Sequence, residues 1–220
     1  DPGNPDSDND GMSDGAEVRN GRDPNTPDTY SALPFVECFE TNTCIIGDIH
    51  GQNNWQTAPT NRAFVQTNIV YEGSQALGVQ AADDAATVQH LFACTNDVVW
   101  FDLYLKAETA SAPTGTVEGA AAMYFSSGGR LEVYDGFHTN WLTLTNHGPY
   151  AATDWVRLTT RLDYQSQKWL VCLNGSLAAT NLGFATPVES FSAVSMTSRS
   201  QPGIDNFSVL TSIPEGIDLD

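Results

Sequence analysis

Five carboxylates fall within twelve residues near the start of the chain, in the stretch DSDNDGMSDGAE, residues 6–17. At neutral pH such a ladder repels itself unless a cation sits among the acids. The spacing is that of a twelve-residue calcium loop. With Asp6 as the first position, Asp8 is third, Asp10 fifth, Asp14 ninth and Glu17 twelfth. Gly11 permits the sharp turn, and Met12 offers a backbone carbonyl. Calcium takes about six to eight hard oxygens at about 2.3–2.6 Å, and alternate residues of a tight loop aim theirs inward. Glu17 closes the shell with two oxygens. One calcium ion is therefore expected in residues 6–17.

A second set of chemistry-bearing side chains lies in GGRLEVYDGFHTNWLTLTNHGPY, residues 128–150, which carries Arg130, Tyr134, His138, Trp141, His147 and Tyr150. Side chains of a strand alternate between its two faces. On that rule Leu131 and Val133 point inward, and Arg130, Glu132 and Tyr134 outward. Leu142 and Leu144 share one face; Trp141, Thr143 and Thr145 share the other. In WFDLYLK, Phe101, Leu103 and Leu105 point inward, with Asp102, Tyr104 and Lys106 outward. An outward indole with polar neighbours suits a sugar, whose C–H face stacks on the ring while nearby groups bind hydroxyls. Trp141, Tyr134, Arg130, His138 and Tyr104 are the expected sugar-binding residues. A Trp141 covered by a loop or a second sheet is the alternative.

The elements that must position these groups are strands. Residues 1–30 hold Asp, Asn, Gly and Pro with little that could form a core. From residue 33 the texture changes to short alternating apolar runs closed by Gly, Asn, Asp or Pro. About a dozen such runs, among them 63–71, 98–106, 120–125, 130–134, 141–145 and 204–210, predict a β-sandwich. The segment WVRLTTRLDYQSQKWLVCLNG predicts a hairpin turning at 163–167. Residues 212–220 return to linker texture. With 220 residues and 40% hydrophobic content, one large domain plus a small appendage is expected.

Net charge is −18, which argues against a nucleic-acid partner, since phosphate binding needs a basic surface. No run of 18 apolar residues occurs, so no membrane insertion is expected. The chain starts at Asp1 without a methionine and reads as a processed protein or a piece of a longer one. Cys38, Cys44, Cys94 and Cys172 contain no CxxC pair, so zinc is not expected. An even count in an acidic, Lys-poor chain suits an oxidising compartment. Three pairings are possible, of which Cys38 with Cys44 and Cys94 with Cys172 are favoured, with buried free thiols as the alternative.

DSDNDGMSDGAE followed by GRDPNTPD resembles the thrombospondin type 3 repeat over residues 4–28. That resemblance implies a calcium-stiffened spacer of secreted proteins, with further coordination by Asp23, Asn25 or Asp28. FVECFE, GDIHGQNNWQ, EGSQALGV and the closing GIDNFSVL resemble, in that order, concanavalin A-like or laminin G-like jelly rolls of modular extracellular bacterial proteins. This second resemblance covers residues 35–210. It implies that the first and last strands lie together and hold a structural calcium, with Glu40 and Asp205 as ligands and backbone carbonyls of 42–48 completing the shell.

Catalytic signatures of such folds do not appear. The E-x-D-x-x-E run of jelly-roll glycosidases is missing, and neither Asp102 with Glu108 nor Glu132 with Asp135 makes the close carboxylate pair a retaining mechanism needs. VQH puts Gln89 beside His90 and loses the spacing of the alginate lyases. His50, His90, His138 and His147 are scattered and read as polar loop residues. The chain is thus expected to be an all-β, two-sheet antiparallel jelly roll: a spacer at 1–30, the sandwich at 31–211 and a linker at 212–220. The expected function is a non-catalytic carbohydrate-binding module of a secreted or cell-surface multidomain protein, monomeric, with calcium as cofactor and a polysaccharide and the parent chain's other domains as partners. A jelly-roll lyase or hydrolase, and an adhesion module without a sugar ligand, are the alternatives.

Overall fold

The computed structural model describes residues 7, 8, 14, 18, 23–79, 86–198 and 203–220. Its short early strands are Phe35–Glu37 (β1), Gly47–Asp48 (β2), Gln56–Ala58 (β3), Ala63–Gln66 (β4), Ala76–Val79 (β5) and Ala86–Leu91 (β6). Val98–Lys106 (β7), Thr109–Ala110 (β8), Met123–Ser126 (β9), Leu131–Asp135 (β10) and Asn140–Thr143 (β11) follow. The last are Trp155–Asp163 (β12), Lys168–Leu173 (β13), Ser176–Gly183 (β14), Ala193–Ser198 (β15) and Gly203–Leu210 (β16).

These strands build a jelly-roll sandwich. One layer is a nine-stranded sheet in the order β14-β13-β12-β7-β16-β5-β4-β2, with β1 also on β16. A four-stranded sheet, β11-β10-β9-β8, and a three-stranded one, β15-β6-β3, pack on its inner face. Among the named strands only β8 and β9 pair in parallel. First and last strands lie together, with Phe35 opposite Val209 and Glu37 opposite Phe207. The hairpin expected at 163–167 forms, with Asp163 opposite Lys168.

Alternation decides what enters the core. Val156, Leu158 and Leu162 of β12 are buried, as are Leu131 and Val133 of β10. Across the core, Trp55 meets Phe207 at 5.1 Å between ring centroids. His90 on β6 departs from the expected polar loop residue: it is fully buried between Phe35, Trp55 and Phe92. Its two ring nitrogens face the carbonyls of Leu91 and Asn53 at 3.1 and 3.0 Å, so it serves the core.

The favoured disulfides do not form; all four cysteines are free thiols. Cys172 lies opposite Thr159 on β12, whereas Cys94 follows β6, donates to the Asn96 side-chain oxygen at 3.6 Å and accepts the Asn96 N–H at 3.4 Å. Cys44 donates to Glu37 Oε2 at 3.5 Å on the buried side. Cys38 follows Glu37 directly, so it turns the other way along an extended chain and is half-exposed. Burial, then the Glu37 charge, pushes the Cys44 thiol up to about 12, which makes it unreactive.

Candidate functional site

The outward face of β9, β10 and β11 carries Tyr134 and Trp141, two of the residues expected to bind sugar. Register sets Tyr134 directly opposite Trp141, and Glu132 opposite both Tyr124 and Thr143. Phe125, Leu131, Val133 and Leu144 take the inner face and anchor the sheet to the core. The Trp141 ring stands edge-on to Tyr134, at 5.3 Å and 69°. It also reaches across β10 to Tyr124, at 4.9 Å and 84°. Three half-exposed rings thus lie together over the middle strand. Glu132 sits among them, 9% exposed, accepting the Thr143 hydroxyl at 2.8 Å. Burial, then the Glu132 charge, raises the Tyr124 phenol above its ordinary range.

The five expected sugar residues do not form one surface. Trp141 and Tyr134 do meet. Arg130 directly precedes β10, but its guanidinium is spent on the carbonyls of Thr145, at 2.8 Å, and His147, at 3.3 Å. His138 stands at the turn between β10 and β11, exposed, bonded through Nδ1 to Asp135. Asp135 is buried and also accepts the Gly183 N–H at 2.8 Å. Burial would raise its carboxyl, but the His138, Gly183 and Phe137 donors outweigh that and hold it low. Tyr104 belongs to β7 in the other layer and points away from the core there. It stacks on Tyr71 at 3.8 Å and 16°. Tyr124 is the ring that sequence reasoning left out. Its signal was present in MYFS, where alternation with the buried Phe125 turns it outward.

The expected calcium ligands divide likewise. Asp6, Asp10, Met12 and Glu17 lie outside the described residues, whereas Asp8 and Asp14 lie within them. Asp14 accepts the Ser7 N–H and hydroxyl, both at 2.7 Å, which brings the second and ninth loop positions together. Those bonds lower its carboxyl. Asp23 closes its own turn, accepting from the Asn25 N–H and amide at 3.1 Å, and Asp28 is half-exposed.

In the sandwich, Glu40 and Asp205 grip one segment, residues 71–75. Glu40 accepts from the Ser74 N–H at 2.8 Å and hydroxyl at 2.6 Å, and from the Gln75 N–H at 3.1 Å. Asp205 is fully buried at a β-bulge in β16 and accepts from the N–H groups of Tyr71, Glu72 and Asn206 at 3.1, 3.2 and 2.8 Å. Burial still pushes its carboxyl up, and the Glu40 charge adds to that. The Ile45 and Asp48 carbonyls, expected to face this site, accept from the Gln52 amide at 3.0 and 2.6 Å. Among the described residues no group of three His, Cys, Asp or Glu side chains is placed to hold a metal.

Shallow hollows of about 320 Å³ at Gln167, Pro187, Val188 and Glu189, and about 240 Å³ at His50, Trp55 and Gln56, flank other parts of the sandwich. Neither brings together an acid and a base in the manner of a catalytic cleft.

Comparison with known proteins places two parts of the chain. Residues 6–27 match the family model of the bacterial TSP3 repeat. No curated protein matches the chain. Among solved structures, a sialidase superposes with a TM-score of 0.59 at 13% identity over 83% of this chain. The chain spans only 19% of that sialidase's length. A cellulose-induced protein, Cip1, superposes with a TM-score of 0.55 at 14% identity, covering 81% of this chain and 97% of its own. At these identities the likeness shows a shared sandwich fold.

Proposed function

We propose that the chain is a non-catalytic glycan-binding module, residues 31–211, of an extracellular protein, attached to a calcium-stiffened spacer at 1–30. The observation that carries this reading is the row of three half-exposed rings, Tyr124, Tyr134 and Trp141, on an otherwise polar sheet face. Rings held by a rigid sheet lose little freedom when a sugar stacks on them, so binding energy is not spent on ordering side chains. The names of two of its fold neighbours, a sialidase and a cellulose-induced protein, agree with a sugar ligand. Of the Arg, His and Tyr groups in 128–150 that a lyase could use, Arg130 is tied to the Thr145 and His147 carbonyls and His138 to Asp135. The test is electrophoresis of the chain, with calcium, through gels containing different polysaccharides. Retardation by at least one supports the reading, and free migration through all of them sinks it.

The spacer would hold calcium through the ladder of Asp6, Asp8, Asp10, Met12, Asp14 and Glu17. These are the hard oxygens the ion prefers, and Ser7 and Asp14, the second and ninth positions, are already in contact. Arg19 and Arg22 follow directly and are trypsin sites. At calcium about a hundred times its Kd, linkage stabilises the bound loop by about 2.7 kcal/mol, so cleavage there should slow by up to about a hundredfold. A chelator should restore it, and equal rates with and without calcium would contradict the site.

A second calcium is proposed against Glu40 and Asp205. Asp205 brings a buried charge whose carboxyl is pushed up, and a cation relieves that cost. Its readout is a calcium-dependent rise in melting temperature that persists in the chain carrying Asp6→Ala, Asp8→Ala and Asp10→Ala. No rise in that variant removes the second site.

A further inference from the structure

The platform holds a charge that a neutral sugar does not need. Glu132 lies on the middle strand, 9% exposed, directly between Tyr124 on β9 and Thr143 on β11. The Trp141 ring crosses β10 to reach Tyr124, so the carboxylate is walled by aromatic surface. A carboxylate so placed has given up water and is stabilised by whatever donor or cation it meets. Its described donor is one hydroxyl, from Thr143, on Oε2. Arg130 shares the face two residues earlier, but its guanidinium turns to the Thr145 and His147 carbonyls. His138 at the strand end is engaged by Asp135. The remaining neighbours, Tyr124 and Tyr134, present aromatic rings.

We propose that this platform selects amino sugars with a free amine, a glucosamine-type unit whose ammonium meets Glu132 while its ring stacks on Trp141. The proposal rests on the glycan-binding reading of the same surface. Two effects act in one direction. An ammonium is attracted to the faces of Trp and Tyr, and a charge-assisted hydrogen bond to a carboxylate is about twice as strong as a neutral one. N-acetylation removes the charge and with it both terms.

The test measures binding of a glucosamine hexamer and its N-acetylated counterpart to the full chain by calorimetry, with a neutral glucose hexamer beside them. At about pH 5.5, below an amine pKa of about 8, the amino hexamer should bind at least about tenfold more tightly than the acetylated one. At about pH 9 the preference should vanish. Glu132→Gln keeps the shape and the Thr143 contact and should bring the amino hexamer to the affinity of the acetylated one. The net charge of −18 supplies a control, because general attraction of a polycation would barely notice the loss of one charge. A preference that persists in Glu132→Gln, or equal affinities in the unaltered chain, overturns the proposal while leaving glycan binding standing. If none of the three hexamers and no polysaccharide binds, the glycan reading itself falls, and this proposal with it. A melting curve for Glu132→Gln that overlays the unaltered one confirms that the fold is intact.

Discussion

Replacing Glu37 by alanine is expected to destabilise the sandwich by about 3–5 kcal/mol, the cost of stripping one side from a buried, charge-assisted network. Glu37 closes β1 and is fully buried. Its Oε1 accepts the Phe39 N–H at 2.7 Å and the Thr43 hydroxyl at 2.6 Å. Oε2 accepts the Asn53 amide at 2.5 Å and the Cys44 thiol at 3.5 Å. One carboxylate therefore ties β1 to the 39–44 turn and to the short 3₁₀ segment Gln52–Asn54, which delivers Trp55 to the core. Alanine leaves these donors buried without their acceptor and opens a void beside Phe39. For a chain of this size each kcal/mol is about 2–4 °C, so thermal unfolding should begin about 10 °C lower. Glu37→Gln keeps two acceptor positions on its oxygen but turns its amide toward that of Asn53, and should fall between. A melting temperature unchanged in Glu37→Ala would show that the network contributes nothing.

The second large effect concerns binding. Trp141→Ala should weaken glycan retention by about thirtyfold, about 2 kcal/mol, as for an aromatic anchor at the centre of a contact. β11 is an edge strand of its sheet, and the Trp141 ring lies outside the core, against Tyr124 and Tyr134. Removing it forfeits two edge-on ring contacts, each about 0.5–1.5 kcal/mol, so the melting temperature should drop by only a few degrees. Trp141→Phe keeps a ring and should retain part of the affinity. Tyr104→Ala supplies a contrast: that ring stacks on Tyr71 in the other layer, and its loss should leave retention unchanged.

Much of this architecture is legible in the chain because alternation is local information. Leu131 and Val133 turn inward by the pleat alone, and the structure follows; Glu132 and Tyr134 share the other face with Thr143 and Trp141, although Glu132 is buried there. The TSP3 repeat at residues 6–27 is legible for the same reason, since its spacing is contained in a short stretch. What could not be read depends on register between distant strands. Tyr124 joins Trp141 only because β9 and β11 both flank β10 in the observed register. Tyr104 leaves the platform because β7 belongs to the other layer. β14, SLAATNLG, gives no clean alternation: its two alanines are both half-buried, and register shifts opposite β13 break the period of two. The cysteine pairing failed likewise, because β6, which leads to Cys94, and β13, which carries Cys172, belong to different sheets, an order that local spacing does not encode.

The most direct test of the central claim joins binding and turnover in one incubation. The full chain and its Trp141→Ala variant, with calcium, are mixed with a panel of plant, algal and animal polysaccharides and scored for retardation and for new reducing or unsaturated ends. The expected result is retardation of the unaltered chain by at least one polysaccharide, loss of that retardation in Trp141→Ala, and no new ends. New ends, or retardation that survives Trp141→Ala undiminished, would contradict a non-catalytic module working through the three-ring platform.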